Sequence, residues 1–99
     1  QMKKSLIIAT IISASTFTLA AQASEQIARE NMCFKCHAID SKKKAPSFQS
    51  IARNASTDEI KHTIRKGVSS FFGKEKMPAN DSMSDAELKS VATWIKSLS

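Results

Sequence analysis

The clearest alternation of apolar and polar positions lies at the end of the chain. Leu88, Val91, Ala92 and Ile95 recur at spacings of 0, 3, 4 and 7, which places them on one face of an amphipathic helix. Trp94 falls at the edge of that stripe. Ser84-Asp85-Ala86-Glu87 stands in front of it and reads as a capping box, in which the serine hydroxyl takes an orphan amide and the glutamate reaches back. Met83 and Leu88 then occupy the two positions of a hydrophobic staple. Ser56-Thr57-Asp58-Glu59 repeats the box ahead of Ile60 and Ile64, with Gly67 as the stop.

Weaker patterns fill in the rest. Glu25–Met32 reads as a short helix with Ile27, Ala28 and Met32 available to a core, and Ser47–Arg53 as one or two turns with Phe48, Ile51 and Ala52 inward. Ser41–Ala45 is a basic loop closed by Pro46. Val68–Asn80 has no sustained period and contains Gly73 and Pro78, so it reads as loop. No segment alternates like a strand, and there is no repeat or linker. The fold class is all-α, with about four to five short helices.

The start of the chain has a different character. Lys3 and Lys4 are followed by an uncharged apolar run from Leu6 to Ala21, and Ala21-Gln22-Ala23 has the small-x-small form of a signal-peptidase site. Residues 1–23 therefore read as an export signal and residues 24–99 as one domain. Gln1, ahead of Met2, has no assigned role and reads as an artefact. The run is short for a membrane span, which needs about 20 residues; an uncleaved anchor is the alternative.

Within the domain, Cys33-Phe34-Lys35-Cys36-His37 is the segment with chemistry of its own. C-x-x-C-H is the attachment signature of c-type haem. Two thiols one turn apart span the two porphyrin vinyl groups, and the histidine that follows is set under the iron as a proximal ligand. Cys33 and Cys36 are the only cysteines in the chain. A domain this small buries little apolar surface by itself, and a covalent haem adds a large group that can pack as core.

Charge narrows the partners. The chain holds 15 Lys+Arg against 9 Asp+Glu, a formal +6, and about +4 once Lys3 and Lys4 leave with the signal. Lys35, Lys42, Lys43, Lys44, Lys74 and Lys76 flank the candidate haem segments. Such a rim steers encounters with acidic partners; the plain alternative is a solvated surface that keeps the protein soluble. Nucleic-acid binding is not expected, because no aromatics interleave with the charges.

The sixth position of a haem iron separates carriers from enzymes and sensors. After the motif the candidates are His62, Met77 and Met83. Met83 already has a role in the staple. His62 lies off the shared face of Ile60 and Ile64 and reads as a solvated helix histidine. Met77 sits in a loop with Pro78 behind it, where there is little core for a methionine to fill. Met32 directly precedes Cys33 and reads as core packing.

With the haem motif, Pro46, Met77-Pro78 and the closing Trp94 helix in view, the chain resembles the small bacterial class I cytochromes c of the c-551/c-552 group over Glu25 to Ser99. Cys36-His37-Ala38-Ile39-Asp40-Ser41-Lys42 and the spacing from Gly67 through Gly73 to Met77-Pro78 carry the likeness. The resemblance implies one haem c per chain, thioether bonds at Cys33 and Cys36, and His37 and Met77 as axial ligands. It also implies a Pro46 carbonyl that accepts from the other ring nitrogen of His37, and N- and C-terminal helices packed together. It implies, further, a monomeric periplasmic carrier that moves single electrons between redox proteins, is not an enzyme, and has no stable membrane insertion after signal cleavage. Three positions depart from the group's pattern: Ala45 where glycine is frequent, and Phe72 and Thr63 where a tryptophan and an arginine commonly support a haem propionate. Arg65 and Lys66 are the candidate substitutes.

Three rival readings follow from the same residues. A haem enzyme or gas sensor needs an open sixth site, against which Met77-Pro78 stands. A thiol–disulfide oxidoreductase uses C-x-x-C after a strand in an α/β fold. A structural zinc site would have to draw on Cys33, Cys36, His37 and His62, with poor spacing.

Overall fold

The computed structural model of the protein describes residues 21–69 and 76–99, and all regular structure among them is helical. The segment read as an export signal falls almost wholly outside the described residues, as do Phe71, Phe72, Gly73 and Lys74. We label the helices α1 (21–30), α2 (Phe48–Asn54), α3 (Thr57–Lys66) and α4 (Asp85–Lys96), with a 3-10 turn at Cys33–Lys35 between α1 and α2.

The helix ends follow from their side chains. Ser56 and Ser84 each accept from the amide three residues on, and Glu59 and Glu87 each accept from the serine amide in return, at 2.9–3.1 Å. Both predicted capping boxes are therefore present. Ser47 caps α2 by accepting from the Ser50 amide. Gly67 ends α3 at φ 75°, a left-handed conformation that a Cβ disfavours.

Buried residues of α1, α2, α3 and α4 share one core. Ala28, Phe48, Ile60, Ile64, Met83, Leu88, Val91, Ala92 and Ile95 form a single buried cluster, and α4 packs on both α2 and α3. The four-residue stripe of α4 is wholly buried, as its spacing predicts. Full burial of a Val, Leu or Ile side chain stabilises by about 1.5–3 kcal/mol, so α4 is the main apolar staple of the fold. Met83 joins the core at 4 % exposure, in keeping with the staple reading. Ala28 is fully buried with α4, and Ser24 of α1 lines a shallow groove with Lys89, Thr93 and Trp94. The first and last helices thus lie side by side.

One expectation fails. Met32 is not core packing: it is 68 % exposed and adopts φ 65°. Helix α1 ends sooner than the pattern predicts because the Met32 amide tightens onto the Arg29 carbonyl at 3.1 Å and Met32 takes a positive φ. Asn31 still makes the ordinary helical bond to the Ile27 carbonyl and adds its side-chain amide to the same acceptor, at 3.1 and 2.8 Å. The chain then reverses through Met32 into the Cys33 turn. The left-handed step that turns Met32 outward is one usually made by glycine.

Candidate functional site

The C-x-x-C-H segment is fixed by aromatic packing and by backbone. The 3-10 turn brings the Cys36 and His37 amides onto the Cys33 carbonyl, at 3.3 and 3.0 Å. Phe34, inside the motif, packs against Phe48 and Trp94 at centroid distances of 5.3 and 6.1 Å, with the Arg29 guanidinium 4.1 Å above its ring. Aromatic pairs of this kind contribute about 0.5–1.5 kcal/mol each beyond area. The spacer residue of the motif is therefore the side chain that anchors it.

Cys33 and Cys36 are free and half-buried. Burial pushes the Cys33 thiol above its ordinary value, a backbone hydrogen bond offsetting part of the effect.

His37 is oriented from two sides. Its Nδ1 donates to the Pro46 carbonyl at 2.7 Å, and its ring stacks on Phe48 at 5.1 Å and 23°. With the Nδ1 proton committed, Nε2 carries the free lone pair, which is the arrangement a metal-ligating histidine needs. Pro46 is itself held by the loop before it: the Ala45 amide donates to Cys36 O, and Lys43 Nζ to Phe34 O at 2.9 Å. Ala45 needs no positive φ, since Met32 is the only non-glycine residue with one among the described residues. The alanine found there in place of glycine therefore leaves the turn unstrained.

Met77 is held by its backbone. Its amide and carbonyl pair with those of Val68 at 3.1 and 2.9 Å, an isolated antiparallel bridge. The side chain packs half-buried against the core cluster, as do Cys33, Phe34, Ile39 and Ile51. This bridge has no counterpart in the sequence reading, because one residue pair leaves no alternation to detect. His62 is exposed on α3, as expected of a solvated histidine.

These residues fit a covalent haem. Two free thiols lie on one turn, an imidazole presents Nε2, and half-buried apolar side chains surround the motif. They do not fit the zinc reading, for no cluster of three or more His, Cys, Asp or Glu among the described residues could hold a metal ion. The strand required before a redox C-x-x-C is also missing among the described residues.

Known proteins with this arrangement decide the family. A crystal structure of wild-type cytochrome c552 from Nitrosomonas europaea superposes with a TM-score of 0.65 at 30 % identity, covering 76 % of this chain and 99 % of that one. The class 1 cytochrome MtoD from Sideroxydans lithotrophicus ES-1 matches with the same TM-score at 29 % identity, covering 78 % and 94 %. Cytochrome c-552 of Hydrogenobacter thermophilus is 34 % identical over 98 % of this chain and 99 % of its own length.

The chain is a small bacterial class I cytochrome c of the c-551/c-552 group.

The profile of the family described as cytochrome c oxidase, cbb3-type, subunit III also matches, over residues 19–95. The cytochrome is a haem-containing electron carrier and not an enzyme. Covalent haem c comes with the family, and so does a need for redox partners. Among the described residues no helix is long and apolar enough to cross a membrane.

Of the propionate substitutes, Arg65 is already engaged: its guanidinium donates to the Asn80 and Met83 carbonyls and to the Asp85 carboxylate. Lys66 is exposed. Neither the Arg65 contacts nor the Lys43–Phe34 bond has a local signature in the sequence, since each joins residues distant in the chain.

Proposed function

We propose that this cytochrome shuttles single electrons between redox proteins of the bacterial periplasm, through one haem c bonded to Cys33 and Cys36 and ligated by His37 and Met77. The observation that carries this reading is the two-bond clamp of Met77 to Val68. It gives a methionine outside any helix a fixed backbone, with its side chain half-buried against the same core cluster that Cys33 and Phe34 pack on. A sixth ligand held in this way closes the iron to substrates, which is what a carrier requires.

The bound group supplies a one-electron ferric/ferrous couple. His37 and Met77 are both neutral donors, so neither has to gain or lose a proton as the charge changes. On a bound iron, the thioether of Met77 would favour the softer ferrous state and raise the potential relative to bis-histidine ligation. Phe48 and Ile64 are buried and Ile51 half-buried; an apolar wall of this kind penalises the extra ferric charge. Pro46 keeps the His37 ring oriented and its Nε2 electron-rich.

Residues 1–23 serve as the export signal, leaving residues 24–99 as the monohaem domain. Lys35, Lys42, Lys43, Lys44 and Lys76 are all exposed, flank the haem motif and Met77 in the sequence, and serve to attract acidic partners. Partner association therefore slows as ionic strength rises; a flat salt response contradicts that docking role.

A redox titration followed optically on the exported holoprotein tests the reading. It should show a single one-electron couple, a methionine–iron charge-transfer band in the ferric state, and no uptake of carbon monoxide by the ferrous state at neutral pH. Ready carbon monoxide binding would show the sixth site to be open and overturn the carrier mechanism.

A further inference from the structure

The segment that leaves Met77 is tied down by a polar knot built on Arg65 and Asn80. Arg65 Nη1 donates to the carbonyls of Asn80 and Met83 at 3.1 and 2.8 Å, and Nη2 to Asp85 Oδ1 at 3.1 Å. Asn80 uses every polar atom it has. Its amide donates to Ile64 O at 3.0 Å, its carbonyl accepts from Arg65, its Oδ1 accepts from the Ser82 and Met83 amides, and its Nδ2 donates to Asn31 Oδ1 at 2.9 Å. Asn31 stands two residues before Cys33. The knot therefore joins α3, the root of the Met77 segment and the entry to the haem motif.

The contacts are unequal. The Asp85 side chain is fully exposed, whereas that of Arg65 is 24 % exposed. An ion pair with one partner in water contributes little. Charge-assisted bonds from a half-buried guanidinium to two main-chain carbonyls contribute more. The fork geometry matters as well, because an ammonium cannot reach three acceptors in one plane.

We propose that Arg65 is a positioning residue for the sixth iron ligand. With Asn80 as the node, it holds the backbone following Met77 so that the thioether stays in place, and the lifetime of that ligand is set from α3. This rests on the reading of Met77 as the ligand. The Val68 bridge fixes Met77 itself, and the Arg65 knot fixes the chain three residues on. Opening the sixth site requires the segment between them to yield.

The test compares holoproteins carrying Arg65→Met, which keeps the aliphatic stem, Arg65→Lys, which keeps the charge, and Lys96→Met, which removes two bonds to the Ala52 and Ala55 carbonyls at the end of α2. Two readouts are followed in the ferric state: amide hydrogen exchange at Val68, Met77 and Asn80, and the rate of imidazole uptake at the iron. Arg65→Met should speed both by about tenfold, the equivalent of one charge-assisted hydrogen bond. Arg65→Lys should recover part of the loss, and Lys96→Met should leave both near wild type even though it lowers global stability. Equal changes in Arg65→Met and Lys96→Met, or no change in Arg65→Met, overturn the positioning role while the methionine–iron band of the wild type is intact. Absence of that band from the wild type overturns the ligand reading, and with it this assignment.

Discussion

A Cβ placed on Gly67 would lie 2.5 Å from the carbonyl oxygen of Met77 and 2.7 Å from the amide nitrogen of Ala79. Gly67 thus does more than end α3: its bare Cα is the surface on which the Met77 backbone rests. The atoms in the way are main chain, so no side chain can swing aside. Gly67→Ala should cost about 3 kcal/mol, from the left-handed φ together with the overlap. It should also weaken the ferric methionine–iron band. Denaturant unfolding and a ferric spectrum of the same sample check both; a stable variant with an unchanged band would show that the close approach is not needed.

Met32 is the opposite case, a side chain where glycine would serve better. It is 68 % exposed at φ 65°, so truncation loses little packing. Met32→Gly relieves the left-handed strain and gives back part of that gain through unfolded-chain entropy, for a net stabilisation of about 0.5 kcal/mol. Met32→Val, β-branched at the same φ, should destabilise by at least about 1 kcal/mol. The sign difference between the two is the measurement, read from unfolding midpoints.

Lys96 ties the last helix to α2. Its Nζ donates to the carbonyls of Ala52 and Ala55 at 2.7 and 2.8 Å, closing the end of α2 with a cation, the charge favoured there. Lys96→Met should cost about 2 kcal/mol in denaturant unfolding and leave the haem spectrum unaltered, because neither carbonyl belongs to the motif or to the Met77 segment.

Much of the frame was legible because it is local. The capping boxes at Ser56 and Ser84 and the Leu88–Ile95 stripe involve residues no more than seven apart, and their chemistry is written in adjacent letters. The C-x-x-C-H motif is equally local. What escaped notice are contacts that span the chain: Val68 with Met77, Arg65 with Met83, and Asn31 with Asn80. A single bridge has no period, and an arginine on a helix looks the same in sequence whether it faces water or three carbonyls. Met32 matches a core pattern in sequence because an apolar residue at the end of an apolar pattern is normally core. Its own left-handed φ, at the end of α1, turns it outward.

Glu59 links stability to pH. The Ser56 amide, and then the Ser56 side chain, hold its carboxyl below the ordinary carboxylate value, with Lys96 adding a smaller pull in the same direction. A depressed folded-state pKa stabilises the protein above the ordinary value, and that contribution is lost as pH falls through the depressed one. Unfolding midpoints should therefore drop on acidification through this range. They should drop less in Glu59→Gln, which has no proton to take up; an identical acid slope in both proteins would remove Glu59 from the linkage.

We propose that His37 and Met77 close the iron, with Met83 confined to the core. The most direct test is the ferric methionine–iron charge-transfer band in Met77→Ala and Met83→Ala holoproteins. The structure has Met83 at 4 % exposure inside the apolar cluster and Met77 half-buried at the Val68 bridge. The band should vanish in Met77→Ala and persist in a less stable Met83→Ala. A band that survives in Met77→Ala and disappears in Met83→Ala would make Met83 the ligand instead.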